Sequence, residues 1–258
     1  MKALWLLALV AAPAMADERE YCPERPGLNT PACIIDQGHV SVETSLADWT
    51  LTKDAGARED QVLIGDTELR LGLMDHLEAQ VRWTPFGHDR VRDGGVDVTN
   101  GVGDVTLGVK ANLSHPDGDG LAVAVLPFGT LPVGRAGIGA GDWGAGVLLP
   151  LTYELSDTVQ LEATPEVDAA VDADGHGRHL AYGSAAGLAV KVAAPVTLTG
   201  EVQVQRDQDP AGHQTHALAA LSVGWMVGKD VQLDLLGAGG LNRDSPDVEV
   251  YGGVAVRF

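Results

Sequence analysis

The chain has 258 residues, with 17 Lys and Arg against 36 Asp and Glu and a formal charge of −19. So acidic a chain excludes nucleic acid as a partner, because phosphate binding needs clustered cations. No stretch beyond residue 16 holds the eighteen or so uninterrupted apolar residues of a membrane helix, which excludes a helical membrane protein.

Residues 1–16 carry an early charge at Lys2, an apolar run from Ala3 to Val10 and the small-residue exit Ala14-Met15-Ala16. This pattern predicts a secretory signal peptide cleaved before Asp17, leaving a mature chain with a charge of about −20. Residues 17–38 form a distinct N-terminal segment. Its two cysteines, Cys22 and Cys33, are the only ones in the chain and are expected to pair in an oxidising compartment. Closing so short a loop contributes roughly 2–3 kcal/mol in the chain-entropy account. Pro23, Pro26 and Pro31 remove ladder donors and argue against a strand there. The segment is expected either to enter the barrel mouth as a plug or to hang outside it as a tether.

From His39 to Phe258 the dominant period is two, which places successive side chains on opposite faces of a strand. Leu77, Ala79, Val81 and Trp83 alternate with Glu78, Gln80, Arg82 and Thr84; Val159, Leu161 and Ala163 alternate with Gln160, Glu162 and Thr164. Segments of about ten residues match tilted membrane strands better than the shorter strands of soluble sheets. Short links such as Met74-Asp75-His76 and Gly228-Lys229-Asp230 alternate with longer ones, among them residues 54–60, 86–101, 129–142, 172–178, 206–214 and 242–247. The expectation is an all-β fold, a closed transmembrane antiparallel β-barrel of about 12 strands spanning residues 39–258, with a short N-terminal periplasmic segment. An even count puts both termini on the periplasmic side of the cell outer membrane of a Gram-negative envelope. Trp83, Tyr153 and Trp225 fall where an aromatic girdle would sit. The alternating last strand ends on Phe258, which has the form of an assembly signal.

Charge on the lipid face is costly, so the charged positions of the strands must point into the lumen. They are Glu43, Asp66, Glu68, Arg70, Glu78, Arg82, Asp104, Lys110, Glu154, Glu162, Glu166, Asp168, Lys191, Glu201, Asp234, Glu249 and Arg257. Twelve are acidic and five basic. Either they form an internal network that fills a narrow barrel, or they line a wet path and select its contents. In an open bore the acids, Glu162, Glu166 and Asp168 foremost, would favour cations.

Two His-x-x-His pairs, His176 with His179 and His213 with His216, fall in neighbouring external links near Asp172, Asp174 and Asp209. Imidazole and carboxylate in this pattern could form a surface metal site, but exposed loop histidines are common and the spacing alone is a weak signal, so neither a resident metal nor another cofactor is expected. A hydrolase would need a hydroxyl within reach of these histidines; Thr215 and Ser184 are the nearest in sequence, and neither sits in a catalytic motif. Catalytic residues are therefore not assigned. Each external link also carries or abuts an arginine: Arg58, Arg90, Arg92, Arg135, Arg178, Arg206 and Arg243.

Three stretches bear a family resemblance. They are Cys22-Pro23 with Arg25-Pro26-Gly27-Leu28-Asn29-Thr30-Pro31-Ala32-Cys33, then Gly103-Asp104-Val105-Thr106-Leu107-Gly108-Val109-Lys110, and Gly240-Leu241-Asn242-Arg243 through Asp247 to Phe258. Together they resemble the outer-membrane transporter family labelled for the meta-pathway of phenol degradation. The resemblance implies a barrel and transport of small molecules, hydrophobic or aromatic compounds among them, without identifying the cargo. The partners expected are outer-membrane lipid, the barrel assembly machinery and small-molecule cargo. The alternative functions are an outer-membrane barrel enzyme of the lipid-hydrolase kind and a structural or adhesive barrel.

Overall fold

The computed structural model describes residues 18–258. The expected signal peptide lies outside the described residues. The chain winds as β1 (Val40–Asp54), β2 (Ala57–Ile64), β3 (Thr67–Met74), β4 (Leu77–Trp83), β5 (Phe86–Arg92), β6 (Val96–Gly101), β7 (Val105–Ser114) and β8 (Leu121–Leu131). It continues as β9 (Gly144–Leu148), β10 (Leu151–Ser156), β11 (Val159–Val171), β12 (Arg178–Ala193), β13 (Val196–Asp207), β14 (Gln214–Met226), β15 (Val231–Gly240) and β16 (Val248–Arg257). Every pairing between these strands is antiparallel, and β16 returns to β1 from Ser41↔Arg257 to Leu51↔Val248, which closes the barrel. Closure leaves no open edge in the barrel wall, which is what hydrocarbon surroundings require of a sheet.

Sixteen segments make twelve staves, because four staves are each broken in two. β1 pairs β3 along its first half and β2 along its second; β4 and β5, β6 and β7, and β9 and β10 likewise share a stave. Three of the breaks are neighbours: Gly65-Asp66, Thr84-Pro85 and Val102-Gly103-Asp104. With the bulge between Ser45 and Ala47 in β1, they form a crease across four adjacent staves. The chemistry of each break is local. Gly65 holds φ at +71°, Pro85 has no ladder donor, and the Gly103 amide bonds the Thr84 carbonyl across the gap.

Beyond the crease, β1, β2, β5 and β6 continue as a four-stranded sheet whose last edge, β6, pairs with β5 alone among the strands. Residues 86–101, expected as a loop, are therefore largely the hairpin β5–β6. Both faces of that hairpin carry charge, His88, Arg90 and Arg92 against Asp89 and Asp97, so its alternation lacks the apolar stripe that marks the other strands. The expected link at residues 54–60 shrinks to Ala55-Gly56, both at positive φ, as a two-residue hairpin turn demands.

The outer face is apolar and exposed: Leu69 and Leu71, Val81, Leu107 and Val109, Leu161, Leu188, Val202, Leu221, Leu233 and Leu235 all point away from the lumen. Trp83, Tyr153 and Trp225 also face outwards. The inner face is buried, polar and small, from Ser41, Glu43 and Arg70 to Ala122, Ala124, Ala181 and Ala185. This inversion of a soluble core is the mark of a barrel whose solvent is lipid.

Candidate functional site

The N-terminal segment is a plug. Cys22 and Cys33 are joined in a disulfide, and the loop between them reaches across the lumen at the end where both described termini lie, here the turn end. Its backbone donors and acceptors find partners all around the wall. The amides of Glu24 and Arg25 donate to Glu43 Oε2 at 2.8 and 3.2 Å on β1, and that of Gly27 to the Tyr251 hydroxyl at 2.8 Å on β16. Those of Leu28 and Asn29 donate to Glu201 Oε1 at 3.0 and 2.9 Å on β13, and that of Thr30 to Thr164 on β11. Asn112 Nδ2 on β7 donates to the Ala32 carbonyl at 2.7 Å, and Ile35 N donates to Glu78 Oε2 on β4 at 2.9 Å. A strandless segment can be buried because the wall supplies the partners that a ladder would otherwise provide.

Charged side chains lock it. Arg70, fully buried, donates to Glu78 with Nε at 2.9 Å and Nη2 at 3.0 Å, and with Nη1 to Glu43 and to the Cys22 carbonyl at 2.9 and 2.8 Å. Lys110, also fully buried, donates to Glu24 at 2.5 Å and to the Pro31 carbonyl at 3.2 Å. Arg25 grips Asp234 through two bonds of 3.0 and 2.8 Å and Ser45 through a third. Glycines in the wall make room. A Cβ on Gly253 would lie 2.4 Å from Arg25 Nη2, and one on Gly72 would lie 2.0 Å from the Asp36 carbonyl oxygen. At the turn end Arg257 holds the Arg19 carbonyl and Asp230, while Lys229 donates to Glu18 at 2.7 Å. These partners hold the Asp230 and Glu18 carboxyls below the usual carboxylate range, Asp230 through Arg257 first and Glu18 through Lys229 first.

Above the plug, towards the long links, lies a cavity of about 490 Å³. The plug supplies its floor through Glu24 to Thr30. One wall is acidic: Asp48, Asp66, Glu68 and Glu249, with Glu166 from β11. Asp66 binds Arg82 and Thr84, but Asp48, Glu68, Glu166 and Glu249 have no ion-pair partner among the described residues. Further lining is apolar: Leu126 and Phe128 on β8, Leu148 on β9 and Leu218 on β14. Below the plug a second cavity of about 270 Å³ is lined by Cys22, Cys33, Glu154 and Lys191.

The sequence-predicted positions sort accordingly. Glu43, Arg70, Glu78, Lys110, Glu201 and Asp234 bind the plug. Asp66, Glu68, Arg82 and Glu166 face the upper cavity, and Glu154 and Lys191 the lower one. Glu162 shares a cross-strand row with Gly187 and Glu201. Asp168 lies opposite Gly146, where a Cβ would meet both Asp168 and the Phe128 ring. Asp104 lies in the crease rather than on a strand. Its carboxylate accepts the amides of Gly134 and Ala140 at 2.7 Å each, so it ties the link at residues 132–143 to the barrel rim. Gln80, Asn112, Thr164 and Tyr251 fall in the alternation but carry no charge to single them out, and Glu24, Arg25 and Asp48 stand outside the expected set. Tyr251 shares the inward alternation of Glu249, and Asn112 that of Lys110, so both were legible as lumen residues. Glu24 and Arg25 needed the plug to be placed first.

At the long links, Arg58 and Arg92 face Asp60, and Arg178 faces Asp142 while its guanidinium lies 3.6 Å from the centre of the Trp143 ring. Ser184 Oγ donates to the Ala185 carbonyl and Thr215 Oγ1 accepts from Arg206. Neither hydroxyl hydrogen-bonds a histidine among the described residues.

The fold is shared with outer-membrane barrels of known structure. The NanC porin aligns over 84% of this chain and 98% of its own, at a TM-score of 0.53 and 10% identity. The translocator domain of the autotransporter NalP from Neisseria meningitidis aligns over 86% of this chain and 89% of its own, at 0.55 and 13%. The β-domain of the Bordetella autotransporter BrkA covers 86% of this chain and 100% of its own, also at 0.55 and 13%. At such identities the likeness is one of fold. No curated protein matches the chain. A family match described as "Putative MetA-pathway of phenol degradation" extends over residues 24–258, through most of the plug and every strand, and the chain belongs to that family.

Proposed function

We propose that this barrel is a plugged outer-membrane channel for small organic molecules with an apolar or aromatic body, with its turn end in the periplasm. The observation that carries this reading is the upper cavity. Its volume of about 490 Å³ is that of a small-ligand pocket, and it sets Leu126, Phe128, Leu148 and Leu218 together with four carboxylates that lack a cation. Such a chamber accepts an apolar body and tolerates a positive group on it, while an anion meets unpaired carboxylates. Porin-type neighbours and the family membership point the same way. The plug closes the direct path, so passage needs the Glu24–Thr30 floor to shift from its wall contacts.

Uptake into proteoliposomes tests this. An aromatic ammonium such as benzylamine and neutral phenol should enter faster than into empty vesicles, and benzoate should not. Loosening the floor with Glu201→Gln and Asp234→Asn should raise the first two rates. Entry no faster than into empty vesicles for both the native and the loosened chain would overturn the proposal.

A further inference from the structure

The two external turns that follow β11 and β13 meet at one buried imidazole. His179, the second residue of β12, has a side chain only 5% exposed. Its Nδ1 stands 2.9 Å from Asp172 Oδ1 and 3.5 Å from Asp209 Oδ2, and its Nε2 stands 2.7 Å from Asp207 Oδ1. Three carboxylates thus surround a single imidazole, and no Lys or Arg pairs with any of them among the described residues. Even a protonated His179 leaves this cluster two negative charges in excess. Its Nε2 is buried beside Asp207, so the ring is held between carboxylates on both of its nitrogens.

The arrangement suits a metal ion. Donors about 2.1 Å from a tetrahedral ion stand about 3.4 Å from one another; the 3.5 Å between Nδ1 and Asp209 matches this, and the 2.9 Å between Nδ1 and Asp172, now a hydrogen bond, would open by about half an ångström as the ion replaces the proton. One ligand atom each from Asp172, His179 and Asp209 lies within 4.8 Å of the others. A neutral imidazole ligating through Nδ1 carries its proton on Nε2, next to the Asp207 carboxylate, which is the orienting partner that metal-bound histidines usually have. The backbone is shaped around one of the carboxylates. Gly177 has φ at +84°, and a Cβ there would lie 2.5 Å from Asp172 Oδ2. Asp209 is fixed by two amides at 2.6 Å each, that of Ala173 from the other turn and that of Ala211 from its own.

We propose that His179, Asp172 and Asp209 bind a divalent transition-metal ion of the zinc class, oriented by Asp207, which staples the β11–β12 and β13–β14 turns together at the outer rim. One imidazole with two carboxylates is a donor set for zinc-like ions rather than for calcium or magnesium, which take oxygen ligands throughout. The proposal is independent of what passes through the barrel.

Zinc binding by the purified, tag-free full chain in detergent at neutral pH, followed by equilibrium dialysis, decides the matter. One Zn²⁺ per chain should bind, and His179→Gln and Asp209→Asn should each weaken binding at least tenfold. His115→Gln, at a turn-end link, should leave it unchanged. Zinc should also slow proteolysis within residues 172–177 and 207–213 of the native chain. If His179→Gln lowers the gel heat-modifiability that marks a folded barrel, Asp172→Asn takes its place with the same expectation. No saturable zinc site, a site unaffected by these substitutions, or calcium binding that survives the loss of His179 would overturn the proposal.

Discussion

Arg70 is the residue on which the plug network converges. It is fully buried and serves Glu43, Glu78 and the Cys22 carbonyl at once, with Glu24 at 3.5 Å. Removing one partner of a buried ionic cluster leaves the others without compensation, which costs about 3–5 kcal/mol. Arg70→Met keeps most of the volume and removes the charge, so three acids would face one another with Lys110 as the remaining cation within the cluster. The substitution should destabilise the barrel by about that amount, read as a lower midpoint of urea unfolding in detergent micelles. A loss below about 1 kcal/mol would show that the cluster is hydrated and that Arg70 is not an anchor. The same residue shows where sequence reading stops. Its inward direction follows from alternation with Leu69 and Leu71, but the identity of its partners follows from the fold.

At the scale of elements, the plug is fastened last at its own beginning. Glu18 meets Lys229, and Arg19 is held by Asp36 and Arg257, which in turn binds Asp230. The Glu18 and Asp230 carboxyls titrate below their ordinary values, so folding favours their charged forms. That contribution is complete above the usual carboxylate range, about pH 4, and is lost as pH falls through the lowered values. Amide exchange at Arg19 and Glu20, corrected for intrinsic rates, should therefore be unchanged from pH 7 to 5 and accelerate only below about 4. Acceleration between pH 7 and 5 would show that other groups hold this end. The elements were legible to different degrees, for physical reasons. Period-two alternation against lipid marks strands such as β4, β11 and β15, because one face must be apolar. The β5–β6 hairpin escapes this signal, since it stands beyond the crease with charge on both faces. The plug has no period at all: its structure is dictated by wall residues scattered from Glu43 to Tyr251, and only the two cysteines announce that it is ordered.

For the whole molecule, the distribution of charge matters more than its total. The buried bases around the plug are all engaged, the plug's own Arg25 on Asp234 and the wall's Arg70 and Lys110 on Glu43, Glu78 and the plug's Glu24. The chamber above therefore keeps four uncompensated acids, with Arg82 engaged by Asp66 and with Asp48, Glu68, Glu166 and Glu249 unpaired among the described residues. A confined wall of one sign concentrates counter-ions, so current through this chamber should be carried by cations. The native chain, with its floor in place, should pass little current in a planar bilayer. The variant combining Glu201→Gln and Asp234→Asn should open in steps and, under a potassium chloride gradient, reverse near the potassium potential. Adding Asp48→Asn, Glu68→Gln and Glu249→Gln should move the reversal potential towards zero. The shift should shrink as salt rises, because screening acts over about 8 Å at physiological ionic strength. An anion-selective current, or a reversal potential that ignores the three added substitutions, would mean that ions bypass the acidic chamber and that the path through this barrel runs elsewhere.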